Sequence, residues 1–198
     1  TYRHKYFRPI FGGRFVLGLR GELGLLEAYG DTKVAPFFEH YYSGGISSVR
    51  GFKQNTLGPR AIPSQYYLDS EGNPIIGEDG NPVSNPYSYY RDDRSIGGAY
   101  LIEGGFDFIF KLPFIEDQRS MRSSFFIDIG NVFSKDCGTD QSNVNCSELD
   151  LAQLRYSYGV GVTWITQLGP MSLAIASPSN AGPLDETENF QFEIGTQF

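Results

Sequence analysis

The chain has 198 residues, a net charge of −7, 24 glycines, 13 tyrosines and 16 phenylalanines. Aromatic residues make up 15% of it, which favours strands over helices, and the acidic balance speaks against a nucleic-acid surface. No stretch approaches the roughly 20 apolar residues that a membrane helix needs, but a barrel strand needs only about 9–11 residues, half of them polar.

In chain order, Tyr2 to Phe7 is a weak strand candidate ended by Pro9, and Gly12-Gly13 makes a tight connection. Arg14 to Glu27 alternates, with Phe15, Leu17, Leu19, Leu23 and Leu25 opposite Arg14, Gly18, Arg20, Glu22 and Gly24. A long polar excursion, residues 29–95, follows. It is rich in turn formers and contains Val49-Arg50-Gly51-Phe52. Structureless loops of this length in a compact domain are functional or disordered. Arginine offers a planar fork that holds carboxylates at two points, and the glycine beside it permits a sharp turn. An ordinary solvated surface arginine is the plainer alternative.

From Ile96 to Leu112 the apolar set is Tyr100, Ile102, Phe106, Phe108, Phe110 and Leu112, opposite Glu103, Gly105, Asp107 and Lys111. Leu101 and Ile109 break the pattern. After a short connection, Arg122 to Phe133 places Phe125, Ile127, Ile129 and Phe133 opposite Ser124, Asp128 and Gly130, with Phe126 as the exception. Leu154 to Ile165 sets Tyr156, Tyr158, Val160, Val162 and Trp164 against Arg155, Ser157, Gly159, Gly161 and Thr163. Met171, Leu173 and Ile175 follow the turn Gln167 to Pro170. Finally, Glu188 to Phe198 puts Phe190, Phe192, Ile194, Thr196 and Phe198 opposite Gln191, Glu193, Gly195 and Gln197.

This makes about seven strands and no convincing helix. The face away from the aromatics is glycine-rich and charged, as in strands that turn polar residues into a watery lumen and aromatics toward lipid. Short connections (Pro9–Gly13, Pro113–Arg119, Gln167–Pro170) alternate with long ones (the excursion, the cysteine loop and Ser177–Glu188). In an antiparallel up-and-down meander this collects the long loops at one end, as in transmembrane β-barrels of the outer membrane. A lipocalin-like soluble barrel is the alternative. Seven strands fall below the minimum of about eight for a closed single-chain barrel. The chain is therefore expected to be a fragment with open edges, to pair with another copy or to recruit a further strand from its loop.

Cys137 and Cys146 flank a polar loop without histidine, so no zinc site is expected and no metal or other cofactor is implied. Cys137 and Cys146 are expected to form a local disulfide closing a small outer loop, as in an oxidising compartment, with free thiols the alternative. No nucleophile–base pairing is evident around His4, His40 or any serine, so an enzyme is not expected. An outer-membrane lipase or protease is the enzymatic alternative.

The segment from Ser47 to Pro59, the strand Phe125-Phe126-Ile127-Asp128-Ile129-Gly130, and the ending Phe190-Gln191-Phe192-Glu193-Ile194-Gly195-Thr196 together resemble the BamA family. These are barrel assembly factors of the Gram-negative outer membrane, in the surface-antigen superfamily. The resemblance spans essentially all of residues 1–198 and implies the C-terminal half of a sixteen-stranded barrel, with the first strands and the periplasmic POTRA domains absent. It implies that Arg50 folds back to meet Asp128, with Asp107 as secondary partner. It also implies a lateral seam lined by the last strand (Phe190, Phe192, Ile194, Gly195 and Phe198). The partners it implies are lipid, unfolded outer-membrane proteins and accessory lipoproteins. A two-partner secretion channel or a passive pore of the same superfamily carries a similar loop and stands as the alternative.

Overall fold

The computed structural model describes residues 1–198 except 31–34, 61–64, 68, 70–72, 86–94, 113–119, 136–147, 167–168, 183 and 196–198. Seven strands form one sheet: β1 (Tyr2–Ile10), β2 (Phe15–Leu25), β3 (Tyr100–Phe110), β4 (Met121–Phe133), β5 (Arg155–Thr166), β6 (Gly169–Ser179) and β7 (Phe190–Ile194). Each pairs antiparallel with its sequence neighbours, so β1 and β7 are the edges of an open sheet. Among the described residues there is no α-helix, only short 3-10 turns at Phe11–Gly13, Phe37–Glu39 and Leu151–Gln153.

Register fixes the rims. Leu25 opposes Tyr100, Tyr100 opposes Phe133, and Tyr156 opposes Ser179, so the three long connections leave from one rim. Ile10 opposes Phe15, Phe110 opposes Ser123, and Thr166 opposes Gly169, which gathers the short connections at the other. The cysteine loop after Phe133 thus starts at the rim opposite the Gly169-Pro170 turn. Cys137 and Cys146 themselves lie outside the described residues.

Several strand limits differ from the sequence expectation; β6, for one, takes in Gly169-Pro170 and residues 177–179, which the sequence assigns to connections. β1 continues through Pro9 to Ile10, because a proline lacking its N–H is tolerated on a strand whose other side is an edge. β3 begins at Tyr100 rather than Ile96, because the residues before it bridge to the long loop, as in Tyr41 with Gly98 and Arg60 with Ser95. β7 begins at Phe190 rather than Glu188, because the preceding residues pair elsewhere, as described below.

The two faces are unlike. Leu19, Leu23, Phe125, Ile127, Tyr158, Trp164, Ile175 and Phe190 all stand exposed on the outer face. An apolar surface this continuous is one that lipid covers. Most buried apolar side chains lie on the other side, where the long connection folds back over the wall; Phe133, on the outward parity of β4, is buried at the rim where the long connections leave. Val49, Phe52 and Leu57 form one cluster, and Phe126, Ala174 and Ala176 form another against Ile46. The core therefore sits between loop and inner wall.

A docked arginine loop

The wall beneath the loop tip is built by register. Arg20 on β2, Gly105 on β3, Asp128 on β4 and Ser157 on β5 fall in a single row across the sheet. Gly105 makes this row work, since a Cβ there would lie 2.4 Å from Nε of Arg20 and 2.9 Å from Oδ1 of Asp128. Without that side chain, Arg20 reaches across β3 and donates from Nη2 to Oδ1 of Asp128 at 2.7 Å. We expect Gly105→Ala to displace Arg20 from Oδ1 of Asp128 while leaving the Arg50 Nε contact with Oδ2. The loop should then be cut faster by trypsin at exposed Lys53, by a factor smaller than Asp128→Ala produces.

Arg50 comes down on the same carboxylate from the loop. Its Nε donates to Oδ2 of Asp128 at 2.6 Å and its Nη2 to Oδ1 at 2.8 Å, a two-point pairing that adds geometric definition to charge. Nη2 also reaches Oδ1 of Asp107 at 3.1 Å, and the Arg50 backbone N–H donates to Oδ2 of Asp128 at 3.2 Å. Asp128 is 0% exposed. Burial weighs most against the charge on Arg50. The hydrogen bond and attraction from Asp128, then those from Asp107, outweigh it and leave the guanidinium pKa raised.

Phe126 explains the break in the alternation of β4. Its ring lies flat beneath the guanidinium, 3.6 Å from ring centroid to the central carbon of Arg50. Cation–π contacts of this kind are worth about 0.5–2 kcal/mol, more where water is excluded. The inward Gly159 of β5 leaves room for the ring, since a Cβ there would meet it at 2.7 Å.

The residues after Arg50 engage the far side of the sheet. Gly51 takes φ of +91°, and its missing side chain would approach Cβ of Ala176 to 3.0 Å, so both backbone and space call for glycine. Its N–H donates to Oε1 of Gln191 on β7 at 3.0 Å. Upstream, the Ser47 and Ser48 carbonyls accept from Arg20 at 3.2 and 2.6 Å, and the Ser48 hydroxyl donates to Glu103. Lys53 pairs with Glu186 at 2.8 Å at the solvent edge, where ion pairs contribute little.

The structure thus brings Val49, Arg50, Gly51 and Phe52 together with Asp128 and Asp107. Phe190, Phe192 and Ile194 lie apart from them on the outer face of β7. Gly195 follows the strand with φ of +102°, and Phe198 lies outside the described residues. Four contributors are absent from the sequence expectation: Arg20, Gly105, Phe126 and Gln191. Phe126 carried a signal, as the one aromatic on the polar side of its strand. Arg20 and Gly105 become visible only once the register between β2, β3 and β4 is known.

Comparison with known proteins agrees with this architecture. The Omp85 superfamily domain matches residues 1–198. The outer membrane protein assembly factor BamA of Neisseria meningitidis serogroup B is 33% identical over 213 residues, covering 100% of this chain and 23% of its own length. The crystal structure of BamA from Haemophilus ducreyi lacking POTRA domains 1-3 superposes with a TM-score of 0.71 at 29% identity, covering 96% of this chain and 33% of that one. The chain therefore spans about a quarter to a third of the proteins it resembles. With its lipid-type outer face and up-and-down sheet, it belongs to the Omp85 superfamily and forms part of a β-barrel of the Gram-negative outer membrane.

Proposed function

We propose that this chain is the C-terminal barrel wall of an outer-membrane assembly factor, whose last strand forms one lip of a seam through which client barrel strands enter the membrane. The observation that carries the reading is the state of β7. The residues ahead of it, Glu186 to Glu188, pair with the loop backbone at Gly51 to Lys53 and not with β6. In hydrocarbon an unpaired backbone group costs several kcal/mol, so a barrel normally leaves no edge exposed. A strand whose entry is held by a loop and not by its own sheet is suited to exchanging partners, and an incoming strand can add to its edge by main-chain hydrogen bonds. Outward Phe190, Phe192 and Ile194 would keep the lip in contact with lipid, and local thinning of the bilayer would lower the cost of insertion. Unfolded outer-membrane proteins are the clients in this reading, with accessory lipoproteins as partners. No covalent step is involved.

The test is reconstitution of the full-length protein in liposomes with an unfolded barrel client. The client should acquire its folded, protease-resistant form faster than in empty liposomes. Export of a soluble passenger with no gain in client folding would instead indicate a secretion channel. Charge reversal at Arg50 or at Asp128 should each slow client folding more than it lowers the thermal stability of the barrel. Wild-type folding in both variants would leave the loop pairing without a part in assembly.

A further inference from the structure

Besides its arginine contact the loop holds a second element, and that hold converges on one side chain. Gln191 faces inward from β7 and is 4% exposed. Its Oε1 accepts the Gly51 N–H at 3.0 Å and its Nε2 donates to the Phe52 carbonyl at 2.7 Å. Only one orientation of the carboxamide satisfies both. The main chain beside it does the same. The Glu188 N–H donates to the Gly51 carbonyl at 2.8 Å, the Lys53 N–H donates to the Glu186 carbonyl at 2.8 Å, and Phe52 bridges Thr187 antiparallel. The loop tip and the stretch entering β7 thus form a short ladder, which Gln191 extends from its side chain. One residue further on, the chain has returned to β6, where the Asn189 carbonyl accepts the Ala176 N–H at 2.8 Å.

Arg50 and Gly51 are neighbours, yet they are fastened to different strands. The backbone N–H of Arg50 donates to Asp128 on β4 and that of Gly51 to Gln191 on β7. The dipeptide is therefore a strut across the inner face, spanning β5 and β6. A glutamine on a wet wall would bond water at no disadvantage. Here both of its polar atoms bond the loop backbone out of water; losing Gln191 strands the buried Gly51 N–H, whereas the Phe52 carbonyl keeps the Gly45 N–H at 2.9 Å.

We propose that Gln191 is the positioning residue that couples the arginine loop to the seam strand, so that β7 stays in place while the loop is docked and loosens when it lifts. The inference rests on the seam reading given above. It makes docking at Asp128 and order in β7 reciprocal: releasing the loop frees the strand, and disturbing Gln191 frees the loop tip.

Amide hydrogen exchange of the full-length protein in lipid tests the coupling. Gln191→Leu keeps the side-chain bulk and removes both hydrogen bonds. It should speed exchange at Gly51, Lys53 and Glu188 by about tenfold, the size expected for losing one or two buried hydrogen bonds. Gln191→Glu should separate the two contacts. Its carboxylate still accepts from Gly51 and keeps that amide protected. It cannot donate to Phe52 and repels the Glu188 carboxylate, 3.5 Å from the present Nε2, so Lys53 and Glu188 should exchange faster. In the reverse direction, Arg50→Ala should speed exchange at Gln191 and Glu193, whose N–H groups face β6. Unchanged Gly51 exchange in Gln191→Leu, or unchanged β7 exchange in Arg50→Ala, would overturn the proposal. Shifted exchange with client folding at the wild-type rate would leave the coupling standing and count against the seam reading.

Discussion

Asp128→Ala is expected to free the loop more completely than Arg50→Ala. The difference follows from how many partners each side retains. Without Arg50, Asp128 still holds Arg20 at 2.7 Å, so its carboxylate is not stranded. Without Asp128, two guanidinium groups lose their common acceptor at the base of the loop. Arg50 keeps Asp107 and the face of Phe126, and Arg20 keeps the Ser47 and Ser48 carbonyls. Removing one member of a buried pair costs about 3–5 kcal/mol in a dry site, and a watery lumen lowers that figure. Trypsin cleavage at Lys53 in lipid vesicles reads the effect, because a docked loop resists cutting. The expected order of rates is Asp128→Ala above Arg50→Ala above wild type. Equal rates in the two variants would mean that Arg20 contributes nothing at the shared carboxylate.

Phe126→Ala should have the other large effect, and on a different quantity. Phe126 is 2% exposed, packed with Ala174, Ala176 and Ile46 beneath the loop. Truncating a buried phenylalanine costs about 3–5 kcal/mol, through lost burial and the cavity left behind. Urea unfolding in lipid should therefore show a lowered midpoint along with a looser loop. Phe126→Leu separates the contributions: it restores most of the burial but not the ring face under Arg50, so about 0.5–2 kcal/mol of docking should be lost with little change in midpoint. If the leucine variant loses as much unfolding stability as the alanine variant, ring geometry rather than burial dominates at this position.

These expectations show which parts of the molecule were legible from residues alone. The two-residue alternation in Phe15–Leu25 and Tyr156–Trp164 assigns strand and face together, because each residue turns its side chain opposite to the last. Alternation of connection length then dictated the meander and its two rims. The interruptions were less readable. Leu101 and Phe126 look like lapses in pattern, yet both are buried on the inner side, where the loop supplies apolar cover to an otherwise polar wall. Alternation reports which way a side chain faces and not what lies above it. Gln191 was unremarkable for the same reason. It reads as one more lumenal polar residue, and its partners lie about 140 positions earlier in the chain. β7 starts two residues later than the alternation suggests because the Glu188 N–H bonds the Gly51 carbonyl of the docked loop and not β6, a choice the sequence pattern does not encode.

Whether the pairing of Arg50 with Asp128 serves client assembly is read by a double-mutant cycle on the client-folding rate in proteoliposomes. The measurement compares wild type, Arg50→Ala, Asp128→Ala and the double variant in the full-length protein. Both single variants should fold the client more slowly, and the double variant should be little slower than Asp128→Ala alone, because the second substitution removes a contact already lost. Losses that multiply, or a wild-type rate in either single variant, would contradict a role for the pairing in assembly.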